Sequence, residues 1–262
     1  PHMAGTEANT RVGEIIAAAM EHAGLSVERY RYDVYLPDPE GETYVALVSP
    51  IRLPLNIQEY ILEEDPFSGH PGLLPGFSAY SGSGDMTAEI VYANYGTRAD
   101  FAELKQRGIS VEGKIVIARF GENFRGYKAK YAEENGAAGL IIYSDPTDGG
   151  YVSGPEYPEG RYLNSSTVQR GSLLTLSYPG DPLTPLEPAL PVGNGDTQRL
   201  DPKDVAFPKI PVAPLPYGLA VEILKRMRGE PVPQGWQGGL PFTYRLTRGP
   251  TLKVRLKVNQ PA

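Results

Sequence analysis

The chain has 262 residues and a formal net charge of −6. It is long enough for a sizeable core, as one large or two modest domains, and it carries no basic footprint for nucleic acid. It has no cysteine, which excludes a disulfide framework, a thiolate nucleophile and any Cys-ligated metal.

The first predicted element is a helix. Val12, Ile15, Ile16, Ala19, Met20 and Ala23 follow an i, i+3, i+4, i+7 pattern, so residues 10–23 form an amphipathic helix stopped at Gly24. Its apolar face needs a partner. Pro1-His2-Met3 ahead of it reads as a cloning scar, so the absence of a signal peptide or anchor at this end is uninformative. Tyr30, Tyr32, Val34 and Leu36 alternate with Arg29, Arg31, Asp33 and Tyr35, which predicts a strand. A turn at Pro37–Gly41 and a second strand from Thr43 to Val48 complete a predicted hairpin. Residues 50–84 are dense in Pro, Gly and Ser and read as an irregular surface excursion. Glu89 to Tyr95 reads as a strand and Ala99 to Arg107 as a short helix.

From Gly113 to Pro146 the pattern is strand, loop, helix, strand. Ile115 to Ala118 and Leu140 to Tyr143 are apolar runs of buried-strand length. Between them Phe124, Tyr127, Lys128, Tyr131, Ala132 and Asn135 recur at helical spacing, and Gly136 supplies the stop. This is a βαβ unit, for which a right-handed crossover is expected. Arg125 stands just before the helix with Lys128 and Lys130 a turn on, and that is where an anionic group would be held.

Residues 146–209 are loop-rich, with Leu173 to Ser177 the one expected strand. A helix from Tyr217 to Arg228 turns Ala220, Ile223, Leu224 and Met227 to a core. Leu252, Val254, Leu256 and Val258 alternate with Lys253, Arg255 and Lys257, the clearest half-buried strand in the chain; the basic row reads as its solvated face. The order of elements predicts an α+β fold, an antiparallel sheet or sandwich flanked by few helices.

Few residues offer chemistry. Beyond the scar only His22 and His70 could contribute imidazoles to a metal, and no His-x-Asp or His-Glu-x-x-His spacing occurs. Ser81-Gly-Ser-Gly84 lacks the Gly-x-Ser-x-Gly pattern of a nucleophile elbow, and no phosphate-loop spacing exists. Trp236 reads as a loop anchor. No residue is a catalytic candidate. Arg125 is the sharpest binding candidate, since a guanidinium grips a carboxylate through two parallel bonds; its competing role is pairing with a local acid such as Glu122.

Phe124-Arg-Gly126 and Tyr143-Ser-Asp-Pro146, together with Tyr32-Asp-Val34, Pro75-Gly-Phe-Ser-Ala-Tyr80, Val168-Gln-Arg-Gly171, Gly180-Asp-Pro-Leu-Thr-Pro185 and Ile210-Pro-Val212, form an ordered series over roughly residues 10–260. The series resembles the protease-associated, or apical, domain of the glutamate carboxypeptidase II and transferrin receptor family. The resemblance implies β-sandwich or open-barrel-like sheets flanked by a few helices around one βαβ unit. It implies three parts: residues 1–3 as scar, 4–42 as a helix and strand belonging to or packing on a peptidase domain, and 43–262 as the protease-associated domain.

For function, the resemblance implies a substrate-gating domain that roofs the site of a secreted or cell-surface zinc exopeptidase, with no catalysis of its own. Its partners would be the peptidase domain of the same parent chain and a peptide substrate, and a homodimer of the parent stays open. Phe124 and Arg125 would meet an anionic substrate. Ser172 stands where the carboxypeptidases have an asparagine assisting that arginine, which puts glutamate specificity in question. Thr184 and Glu187 would give backbone carbonyls to a shared calcium site, beside two zinc ions in the parent's catalytic domain. Two carbonyls alone would hold calcium weakly, and a proline-fixed turn is the competing account of that loop. The alternative implied by the same family is a receptor-like protein-binding module without peptidase chemistry.

Overall fold

A computed structural model describes residues 2–38, 41–193, 197–247 and 249–261. The chain divides into two compact units.

The first unit comprises Pro1–Tyr35, Pro66–Leu73 and Tyr178–Val205. Its helix α1 (Glu7–His22) begins where the Thr6 hydroxyl accepts the Asn9 N–H. Ile15, Ile16 and Met20 of that helix are exposed. The predicted strand over 30–36 is absent. Tyr30, Tyr32, Val34 and Leu36 are all exposed and no strand pairs with them. Alternation alone cannot make a strand where no sheet edge accepts its N–H and C=O groups. The Asp33 N–H instead donates to the Ala189 carbonyl, and Asp33 Oδ2 accepts the Val192 N–H.

The second unit comprises Leu36–Asp65, Leu74–Ser177 and Ala206–Ala262. In chain order it holds β1 (Glu42–Ser49), β2 (Leu53–Leu55), β3 (Ser78–Ala79), β4 (Gly84–Tyr92), α2 (Arg98–Gln106), β5 (Ile115–Arg119), α3 (Arg125–Glu134) and β6 (Gly139–Tyr143). There follow α4 (Pro146–Gly149), β7 (Gly171–Ser172), β8 (Val212–Leu215), α5 (Tyr217–Leu224) and β9 (Lys253–Asn259). The α+β class read from the sequence holds.

One mixed sheet runs β2-β1-β9-β4-β5-β6-β8, and β3 pairs with β7 in a second, two-stranded sheet. The half from β4 to β8 is parallel: Ile90 lies opposite Ile115, Ile117 opposite Ile141, and Ile141 opposite Ala213. The other half is antiparallel around β9. The apolar runs of β5 and β6 are buried at every residue, as parallel strands covered on both faces must be. β4-α2-β5 adds a second unit of the βαβ kind to the predicted one.

The basic row of β9 faces outward while Val254, Leu256 and Val258 are buried. Across the strands Arg255 pairs with Asp85, and Lys257 with Glu42. The predicted strand at Leu173–Ser177 is not formed; the pairing lies just before it, at Gly171–Ser172, where the short β3 is met. Trp236 is buried, packs edge-on against Tyr92 and accepts the Tyr92 hydroxyl at its carbonyl. Ser81 is a turn residue, its Oγ donating to the Gly82 carbonyl and accepting the Val212 N–H. Among the described residues no helix is long and apolar enough to cross a membrane.

Candidate functional site

At the carboxyl ends of β5 and β6 the chain leaves the sheet, and the segments that follow each strand frame a cleft of roughly 250 Å³. That end of a parallel sheet is where open α/β sheets hold ligands. Phe120, Asn123, Phe124 and Arg125 come from the β5–α3 connection, and Ser144, Asp145 and Asp148 from the segment after β6.

Arg125 is the first residue of α3, and Phe124 caps the helix without a side-chain hydrogen bond. The positive end of that helix therefore adds to the field of the guanidinium. The Arg125 guanidinium lies 5.8 Å from the Phe120 ring centroid and 5.7 Å from that of Phe124. Among the described residues it has no ion-pair partner, Glu122 included, and its Nε is buried without a hydrogen bond. Phe124 is half exposed and continues outward as an aromatic ladder, edge-on to Tyr127, which stacks on Tyr131.

The loop that carries this arrangement is fastened from beneath by Lys128. Its ammonium is fully buried and donates to the carbonyls of Tyr95 (2.5 Å) and Gly121 (2.7 Å) and to Asn123 Oδ1 (2.6 Å). Burial pulls its pKa down to about 8. The sequence reading that grouped Lys128 with Arg125 as an anion holder is corrected: its three protons are spent on Gly121 and Asn123 of this loop and on Tyr95 of the β4–α2 connection. Lys130 is exposed.

Both acids in the cleft are already covered. Asp145 accepts the Thr147 and Gly239 N–H groups at Oδ1 and the Tyr143 and Tyr244 hydroxyls at Oδ2. Burial pushes those two tyrosines well above their usual pKa, so they stay donors. Asp148 accepts the Tyr95 hydroxyl at 2.6 Å and lies 3.4 Å from Arg119. Desolvation nevertheless raises its pKa. Arg119 is buried over the Tyr95 ring at 4.0 Å and donates to Asn94, which donates in turn to Asp100. What the cleft leaves free is donor capacity.

Ser172, on β7, is not among the residues that line the cleft; its Oγ accepts the Leu174 N–H. The same segment reaches the site through Gln169, which lines the cleft, and through Gly171, which lies against the Arg125 guanidinium. Neighbouring Arg170 is structural, binding Glu59 and the carbonyls of Leu74 and Pro75. Sequence reasoning missed Ser144 and Gln169. Both stand inside the quoted motifs Tyr143-Ser-Asp-Pro146 and Val168-Gln-Arg-Gly171, which was the available signal.

In the first unit, the carbonyls of Thr184 and Glu187 converge on Gly180, lying 3.3 and 3.6 Å from where its Cβ would be. Asp181 holds this loop, with Oδ1 accepting the Tyr35 N–H and Oδ2 the Leu183 N–H. Two converging carbonyls fit part of a calcium shell, which takes six to eight oxygens. Among the described residues no group of three or more His, Cys, Asp or Glu side chains is placed to hold a metal.

Residues 86–176, which contain the whole cleft, match the family described as the PA domain. The chain therefore carries a protease-associated domain. It is 37% identical, over 99% of its own length and 35% of theirs, to glutamate carboxypeptidase 2 homologues of Caenorhabditis briggsae and Caenorhabditis elegans. Aminopeptidase NAALADL1 of Rattus norvegicus is 32% identical over 95% of this chain and 34% of the relative. The chain is similar to these glutamate carboxypeptidase-like proteins and spans about a third of their length. Among solved structures, an aminopeptidase from Aneurinibacillus sp. strain AM-1 covers 100% of this chain and 42% of its own, with a TM-score of 0.45 at 17% identity. A zinc aminopeptidase from Bacillus subtilis gives the same TM-score and covers 40% of its own chain.

Proposed function

We propose that this domain is the substrate-gating part of a zinc-dependent exopeptidase: it roofs the catalytic site of its parent protein and presents Arg125 to an anionic group of the peptide. The observation that carries this reading is a guanidinium lining a cleft, 5.8 and 5.7 Å from two aromatic ring centroids, with no ion-pair partner among the described residues. Such a guanidinium can take a carboxylate in a two-bond grip, and the rings exclude water around it. The peptidase names borne by the relatives favour this over a receptor-like binding module.

In this reading zinc and the bond-breaking groups belong to the parent's peptidase domain, which is also the domain's main partner. Thr184 and Glu187 would give their carbonyls to a calcium ion completed by that partner. The setting is a secreted or cell-surface protein, by analogy with the family.

The full-length protein tests this. Arg125→Ala should raise KM for peptides ending in an acidic residue roughly tenfold or more while changing KM for neutral peptides little. Equal KM for both peptide classes in wild type and variant would refute the role of Arg125.

A further inference from the structure

Only four buried side-chain polar atoms among the described residues lack a hydrogen-bond partner, and two of them belong to residues that line this one cleft. One is Arg125 Nε. The other is the Oγ of Ser144, a residue 4% exposed. Burying a hydroxyl without a partner is unfavourable, and such groups in folded proteins are explained by a ligand, an ion or a water. The carboxylates beside it leave it no role as their donor: Asp145 already accepts four hydrogen bonds, and Asp148 is held by Arg119 and Tyr95. Donor capacity with no acceptor, in the same cleft as a guanidinium with no ion-pair partner among the described residues, fits a ligand oxygen.

We propose that Ser144 is a second donor of the Arg125 site, so that a ligand carboxylate held by Arg125 also accepts the Ser144 hydroxyl. This rests on the reading that Arg125 holds an acidic group, and it assigns to Ser144, which lines the cleft, the assisting hydrogen bond expected of Ser172, which does not. The ligand class is a small dicarboxylate or the acidic end of a peptide.

The test uses this chain, labelled with nitrogen-15 and titrated with glutarate, with neutral glutaramide as control. Glutarate should shift the amide resonances of Gly121, Arg125 and Ser144 saturably, and glutaramide should not. Ser144→Ala should weaken glutarate roughly tenfold, the weight of one hydrogen bond to a charged group. Ser144→Thr, which keeps the hydroxyl, should recover most of that loss. Unchanged resonances of β1 and β9 would show that each variant is folded. If Ser144→Ala binds as wild type while Arg125→Ala does not bind, Ser144 has no such role and the Arg125 reading stands. If Arg125→Ala also binds as wild type, or if glutarate produces no saturable shift in the cleft, both ideas fall.

Discussion

The guanidinium of Arg125 lies against Gly171 so closely that a Cβ on that glycine would meet Nη1 at 2.4 Å and Cζ at 2.7 Å. Two short motifs distant in sequence are thereby one device: the glycine of the second makes room for the arginine of the first. The reverse also holds, since a Cβ on Gly126 would meet the Leu173 carbonyl oxygen at 2.3 Å.

These two glycines should respond differently to alanine. At Gly171 the obstructed atoms are the end of a flexible side chain, so Gly171→Ala should change unfolding free energy by less than about 1 kcal/mol. It should displace Arg125 and weaken glutarate roughly tenfold. At Gly126 the obstruction is backbone, and Gly126→Ala should cost about 1–3 kcal/mol of stability. Denaturant melts of both variants beside glutarate titrations separate the two effects; equal stability losses would refute the distinction.

Lys128 donates to three oxygens, of which the Gly121 carbonyl also accepts the Asn123 N–H. Lys128→Met should take this donor from the Tyr95 carbonyl and Asn123 Oδ1 and cost about 3 kcal/mol, with faster amide exchange at Gly121 and Asn123. A loss under about 1 kcal/mol by denaturant melt would mean that the loop holds itself.

The same lysine makes stability depend on pH. Folded, it gives up its proton near pH 8; unfolded, near the ordinary 10.5. Between those values unfolding takes up a proton, so raising pH opposes unfolding, and the protein should gain up to about 3 kcal/mol from this group. The gain should appear in wild type and vanish in Lys128→Met when both are melted from pH 7.5 to 10. A wild type that loses as much stability as the variant over that window would contradict it.

Asp145 is the buried acceptor around which the far wall of the cleft is assembled. Asp145→Asn keeps the shape but replaces an acceptor with an N–H₂ facing the Tyr143 or Tyr244 hydroxyl, and should cost about 2 kcal/mol. The loss should be read as a lower melting temperature, together with displaced resonances at Gly239 and Thr147. No change in either would show that the four hydrogen bonds are not needed together.

Much of this was legible in the residues. Buried strands 115–118 and 140–143, the helix between them and the alternating strand near the end each rest on local periodicity, which the chain carries wherever it folds. The position of Arg125 ahead of a helix is local too. The strand expected over 30–36 failed because pairing is not a local property: Tyr30, Tyr32, Val34 and Leu36 alternate properly and find no edge. Lys128 reads in sequence as one more surface cation, and only packing shows it buried under a loop whose carbonyls converge on it.

The pattern of apolar residues thus determined the elements, and the ordered motifs determined the family, because both are carried along the chain. Tertiary structure alone decided which polar groups are spent and which remain free. Asp145 needs Gly239 and Tyr244, and Lys128 needs Tyr95, all distant in sequence, to complete their hydrogen bonds, while Arg125 and Ser144 are left with unmet hydrogen-bonding capacity in a shared cleft. Satisfaction depends on distances of about 3 Å between groups that a sequence does not bring together.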